Sequence, residues 1–175
     1  NVHDEFGTPF SADAKAAGEV TRAVKQVVNV PVFVKLSPNV VNIKPIARMV
    51  KEAGADGLTL INTVGGMVID AYARRPVLTN KMGGVSGAAI KPVALKCVYE
   101  CHAETKLPII GLGGINSGLD AAEMIMAGAS AVGLGTVLFH RGHTSFKLIS
   151  EELEKFMDEE GFNTIKEMVG LAHKE

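Results

Sequence analysis

Four stretches of the chain, residues 30–36, 57–62, 108–113 and 131–136, are almost uninterruptedly apolar and rich in β-branched side chains. Strands without polar alternation are buried on both faces, which is the habit of a parallel sheet. Between these stretches the apolar positions change to a helical period. Ile90, Val93, Ala94, Cys97, Val98 and Cys101 fall at i, i+3, i+4, i+7, i+8 and i+11, so they form one continuous stripe along a helix. The same pattern predicts helices over about 11–28, 43–53, 118–127, 145–157 and 163–172. Their ends are punctuated accordingly: Ser117 with Asp120 three residues on reads as a capping box. Gly54 and Gly128 stand where a helix needs a left-handed C-terminal residue.

From strand start to strand start the intervals are 57 − 30 = 27, 108 − 57 = 51 and 131 − 108 = 23 residues. The outer intervals each hold one βα unit. The surplus of the middle one lies in 65–85, where Val68-Ile69-Asp70 and Pro76-Val77-Leu78 predict a small hairpin over the end of the sheet. Glu52-Ala53-Gly54-Ala55-Asp56 and Met126-Ala127-Gly128-Ala129-Ser130 repeat the same helix-to-strand joint. Alternating strands and helices mean an α/β fold, doubly wound or barrel. No linker or low-complexity tract divides the chain, so residues 1–175 read as one domain.

Composition narrows the function. With 47% hydrophobic and 21% charged residues the chain builds a packed core rather than a disordered one. Eighteen basic against nineteen acidic side chains leave a net charge of −1, so no global field favours nucleic acid or an anionic membrane. Neither a spanning apolar run nor a signal pattern is visible, and a cytoplasmic location is expected. Cys97 and Cys101 are the only cysteines; on the buried stripe they read as reduced packing residues. Nineteen glycines in 175 residues, against about 7% in ordinary proteins, point to loops that approach a ligand closely. Residue 1 is Asn rather than Met, which suggests a processed chain or a piece of one.

The candidate chemistry clusters at strand ends, where parallel α/β folds bind ligands. The last two strands finish in Gly111-Leu112-Gly113-Gly114 and Gly133-Leu134-Gly135-Thr136. Glycines there either let a phosphate reach backbone N–H groups at a helix start or merely relieve crowding at the strand–helix junction. The spacing is not the dinucleotide fingerprint. Lys35, within Val32-Phe33-Val34-Lys35-Leu36, must find either a carboxylate or an anionic ligand. Asn62 and Thr63 end the second strand as donors and acceptors for a planar polar substrate, or as a plain turn. Ser86-Gly87 precedes the clearest helix and offers a backbone N–H to a ligand, or an ordinary N-cap. His140 and His143 are spaced H-x-x-H without a third ligand nearby, which argues against zinc. The acidic stretch 151–160 carries Leu153, Phe156 and Met157 at helical spacing, an amphipathic helix with a solvated face.

Taken together, five motifs resemble one family: Val34-Lys35-Leu36-Ser37-Pro38-Asn39-Val40, Gly54-Ala55-Asp56-Gly57-Leu58-Thr59-Leu60-Ile61-Asn62-Thr63, Gly83-Gly84-Val85-Ser86-Gly87-Ala88-Ala89-Ile90-Lys91-Pro92, Ile109-Ile110-Gly111-Leu112-Gly113-Gly114-Ile115, and the run from Ala127 to Thr136. The chain is similar to the flavin-dependent dihydroorotate dehydrogenases of class 1, most of all to the class 1B catalytic subunit. The resemblance implies a (β/α)8 TIM barrel of which this chain carries the C-terminal half, strands five to eight with their helices, as a single partial FMN-binding domain. It implies an oxidoreductase of pyrimidine (UMP) biosynthesis that oxidises dihydroorotate to orotate with FMN as cofactor. Lys35, Ile61, Gly87, Gly113, Gly114, Gly135 and Thr136 would bind the cofactor, and Asn1, Asn62 and Thr63 the substrate. A homo-oligomer and an iron–sulfur/FAD subunit linking to NAD are implied as partners. The family's base is a cysteine in a Cys-Pro-Asn loop, and Asn1-Val2 resembles the end of that loop. The base is therefore expected just before Asn1, with no catalytic residue in this chain, which alone would be inactive. Dihydropyrimidine dehydrogenase-like flavoenzymes, a cofactor-free (β/α)8 isomerase or synthase, and a non-catalytic phosphate-binding half-barrel are the alternatives.

Overall fold

The computed structural model describes residues 10–174. Four parallel strands form its central sheet in the order β1-β2-β7-β8: β1 (Phe33–Leu36), β2 (Gly57–Leu60), β7 (Ile109–Leu112) and β8 (Ala131–Gly133). Helices α1 (Ala14–Val27), α2 (Lys44–Glu52), α3 (Lys91–Thr105) and α4 (Gly118–Met126) follow one another across a single face of this sheet. Short α5 (Val137–Arg141), then α6 (Ser145–Glu160), which packs on α4, and α7 (Ile165–Met168) follow β8. Gly118 permits the α4–α6 crossing, since a Cβ there would strike the backbone of Glu152 and Leu153. The long excursion between β2 and α3 holds two antiparallel pairs, β3 (Val64–Gly66) with β6 (Gly83–Val85) and β4 (Ile69–Asp70) with β5 (Arg75–Pro76).

Local chemistry accounts for the element ends. The Ser117 side chain accepts from the Asp120 N–H, and the Asp120 carboxylate accepts from the Ser117 N–H, so the expected capping box is present. Asp13 caps α1 by accepting from Ala16 N. Gly54 and Gly128 take φ of 98° and 124°, the left-handed region expected of them. The helix stripe is also present: Cys97, Val98 and Cys101 are buried with Ile90 and Ala94. Val93 departs from it, because its place on the first turn of α3 leaves it 37% exposed.

Two expectations need correction. The final helix is shorter than residues 163–172 predict: α7 stops at Met168, and a separate 3-10 turn, Leu171–His173, begins after Gly170 with φ of 71°. More consequentially, the strands are not buried on both faces. Successive residues of a strand point to opposite sides, and parallel register lines up rows on each side. Leu36, Leu58, Leu60 and Ile109 point to the helices and are 2% exposed or less. The other row, Phe33, Lys35, Thr59, Ile110, Leu112 and Ala131, is exposed or half-buried, with Phe33 at 41%. No described element covers that face, and β1 and β8 are open edges.

Candidate functional site

The four strands of the central sheet run in the same direction, so their C-terminal ends meet at one end of it. There the loops after β2, β7 and β8 and the Gly87 turn enclose a cavity of about 240 Å3. Every described residue that the family resemblance assigns to cofactor or substrate lines it. Lys35 comes from β1; Ile61, Asn62 and Thr63 from the end of β2; Gly87 from the turn before α3; Gly113 and Gly114 from the end of β7; Gly135 and Thr136 from the loop after β8. Asn1 lies outside the described residues.

Each wall has a local cause. Lys35 is exposed on the uncovered sheet face, contrary to the buried position expected of it, because no element packs over β1 on that side. Among the described residues no carboxylate or hydrogen-bond acceptor meets its side-chain nitrogen, and the side chain lines the cavity. The β2 end is held by Ile61 N donating to Leu112 O (2.9 Å) and Asn62 N donating to Leu36 O (3.0 Å). Asn39 braces the same corner with both ends of its amide: Nδ2 donates to Thr63 O (3.0 Å) and Oδ1 accepts from Gly65 N (2.8 Å).

Glycine is required where β7 ends. Gly113 and Gly114 take φ of 127° and 78°, and a Cβ on Gly114 would lie 2.8 Å from backbone atoms of Lys91. Gly135 has open space at its Cβ position, as a site of ligand approach does. Across the cavity Thr136 Oγ1 donates to Ser86 Oγ (2.9 Å), which joins the β8 loop to the Gly87 turn.

Sequence reasoning overlooked the charged groups behind this wall. Asp120 Oδ1 accepts from Lys91 Nζ at 2.6 Å, and its Oδ2 accepts from Asn116 N and Ser117 N at 2.9 Å. Burial alone would raise the Asp120 carboxyl, but these bonds outweigh it and hold the group below its ordinary value. Glu152 accepts from Arg141 and from Gly118 N (2.7 Å), and both lower its carboxyl as well. Lys91 and Asp120 stand 29 residues apart and Glu152 and Gly118 34, separations that carry no periodic signal. Only the Ser117–Asp120 cap was legible.

Other candidates lie elsewhere. Cys97 and Cys101 sit in the core under the helices, and burial pushes both thiols up, so neither supplies a thiolate to the cavity. His140 and His143 are exposed, and among the described residues no three ligating side chains gather as a metal site. No helix among those residues is long and apolar enough to cross a membrane.

The family model described as dihydroorotate dehydrogenase matches residues 2–157. The chain belongs to the dihydroorotate dehydrogenase family. Within this family it is similar to the protein named dihydroorotate dehydrogenase B (NAD(+)), catalytic subunit, of Pyrococcus abyssi, with 46% identity over 169 residues, 97% of this chain and 56% of that protein. The like-named proteins of Desulforamulus reducens (50% over 167 residues, 95% and 55%) and Methanocaldococcus jannaschii (47% over 169 residues, 97% and 55%) agree. The chain thus spans about half the length of the curated dihydroorotate dehydrogenases it matches.

Proposed function

We propose that this chain forms the cofactor-binding half of a flavin-dependent dehydrogenase that oxidises dihydroorotate to orotate in pyrimidine biosynthesis. The observation that carries the reading is convergence: nine residues chosen along 102 positions of sequence, from Lys35 to Thr136, line one cavity. A phosphate binder needs the Gly113–Gly114 and Gly135–Thr136 wall alone. Lys35 and the Asn62–Thr63 pair lining the same cavity fit a larger ligand with a planar, polar part.

The residues present fit FMN. Gly113, Gly114, Gly135 and Thr136 would take its phosphate, with Gly87 and Ile61 along its length and Lys35 toward the flavin ring. When bound, FMN supplies the acceptor for a hydride from C6 of the substrate. Lys35 would balance the negative charge that arrives there. Asn62 and Thr63 would orient the pyrimidine through its carbonyl and N–H groups, together with Asn1. The base that takes the C5 proton would be the cysteine that the resemblance implies, outside residues 10–174, because Cys97 and Cys101 are buried under the helices; residues 10–174 alone would not turn over.

The uncovered sheet face supports a further part of the proposal, that β1, β2, β7 and β8 are strands five to eight of a (β/α)8 barrel whose other strands cover that face. The relatives' names, with their words catalytic subunit and NAD(+), support a partner subunit that passes electrons to NAD; its iron–sulfur and FAD groups, a cytoplasmic location and more than one copy of this chain are what the family resemblance implies.

The test is to express the protein as its gene encodes it and record its visible spectrum and its products. A yellow protein that releases FMN and forms orotate from dihydroorotate is the expected result. A colourless protein that takes up no FMN overturns the proposal, and flavin reduction by dihydrouracil but not by dihydroorotate transfers it to the dihydropyrimidine dehydrogenases.

A further inference from the structure

The wall formed by Gly113–Gly114 and Gly135–Thr136 belongs to two separate loops. Sheet pairing holds them together only as far as Leu112 and Gly133. Beyond that point their spacing depends on side chains, and a phosphate site needs its donors placed to within about half an ångström. Arg141 ends α5, the helix that begins directly after Thr136. Its Nη1 donates to Asn116 O at 2.7 Å, and its Nη2 pairs with Glu152 Oε1 at 2.5 Å. Glu152, on α6, accepts from Gly118 N at 2.7 Å. The chain of contacts therefore runs from the β8 loop through α5 and α6 back to both ends of the Asn116–Gly118 turn that closes the β7 loop.

We infer that Arg141 and Glu152 form a positioning clamp that sets the distance between the two halves of the anion cradle. The inference rests on the phosphate reading above, and neither residue lines the cavity itself. Charge adds to geometry. Glu152 is a carboxylate behind a site for a phosphate, and Arg141 neutralises it; without the arginine the cradle is both looser and more repulsive to anions.

Comparing FMN with riboflavin, which lacks the phosphate, isolates this role in binding measurements that need no turnover. Flavin fluorescence quenching on the apoprotein gives both affinities. Arg141→Met should weaken FMN by about tenfold, the size of one charge-assisted hydrogen bond, and riboflavin by less than about twofold. Glu152→Gln, which keeps an acceptor for Gly118 N but loses the ion pair, loosens the cradle while removing its negative charge, so it should shift the FMN-to-riboflavin ratio in the same direction by less. It also carries the test if Arg141→Met does not fold. Parallel weakening of both flavins, or an unchanged ratio in the folded variants while the wild type prefers FMN, overturns the clamp and leaves the phosphate reading standing. A wild type that binds FMN no better than riboflavin overturns both.

Discussion

The two faces of the central sheet are built from the same four strands and differ in almost everything else. Toward the helices, Leu36, Leu58, Leu60 and Ile109 are sealed, and Met124 and Ala129 close over Gly111, where a Cβ would lie 2.5 Å from Met124 Cγ. Toward the other side, Phe33, Thr59, Ile110 and Leu112 stand partly bare around Lys35. Apolar residues in rows on an uncovered face are unlike a solvated sheet face, which alternates to polar side chains. The difference explains why the strands read as buried on both sides in sequence: each residue pattern fits a covered strand, while the described chain covers one face.

The largest effect that sharpens this comparison is on stability. Ile109 points to the helices and Ile110, its neighbour, to the uncovered face. Ile109→Ala should cost about 2–5 kcal/mol in urea unfolding, the range for emptying a sealed core site. If further strands cover the other face in the protein as encoded, Ile110→Ala will cost about 2 kcal/mol or more by the same measurement, since it too then leaves a cavity. A cost near 0.5 kcal/mol, ordinary for a surface position, would break the barrel proposal while leaving the helix-covered face as described.

Much of the covered face was legible because it depends on short-range pattern. The stripe from Ile90 to Cys101, the Ser117–Asp120 cap and the Gly54 and Gly128 stops each need only a few neighbouring residues. The site residues were legible for another reason: strand ends and glycine pairs mark where ligands approach, and family motifs name the rest. What escaped was long-range. Asn39 reaches Thr63 and Gly65, and Arg141 reaches Asn116 and Glu152, through loops whose approach no periodicity encodes. The exposed state of Lys35 escaped because burial depends on what packs over β1 and not on β1 itself.

Lys35 carries the next prediction, on the uncovered face. Lys35 opens onto the cavity and has no partner among the described residues, so Lys35→Ala removes no described contact whether or not further strands cover its face and should move stability by less than about 0.5 kcal/mol. In stopped-flow measurements it should slow flavin reduction by dihydroorotate by about tenfold or more, because a charge-balancing group is lost at the developing anion. Loss of stability with an unchanged reduction rate would assign the lysine to the fold instead of the site.

The smallest effect belongs to the covered side, behind the cradle, and concerns acid. Asp120 and Glu152 have carboxyls held below their ordinary values by Lys91, Asn116 and Ser117 and by Arg141 and Gly118. A depressed folded value means that the unfolded chain binds more protons in the window between the two values. Their contribution is therefore complete above the unfolded values, about 3.9 for Asp and 4.3 for Glu, and is lost as pH falls through the lower folded ones. Asp120 should supply the larger share, because its side chain is 16% exposed against 39% for Glu152, whose pair is screened by water. Urea midpoints measured from pH 6 down to pH 3 should drop less steeply at the acid end in Asp120→Asn than in the unmodified protein, whatever the variant's stability at pH 6. Equal slopes would mean that the bonds to Lys91, Asn116 and Ser117 persist in the unfolded chain or do not form, and the wall of Gly113 and Gly114 would then need another support.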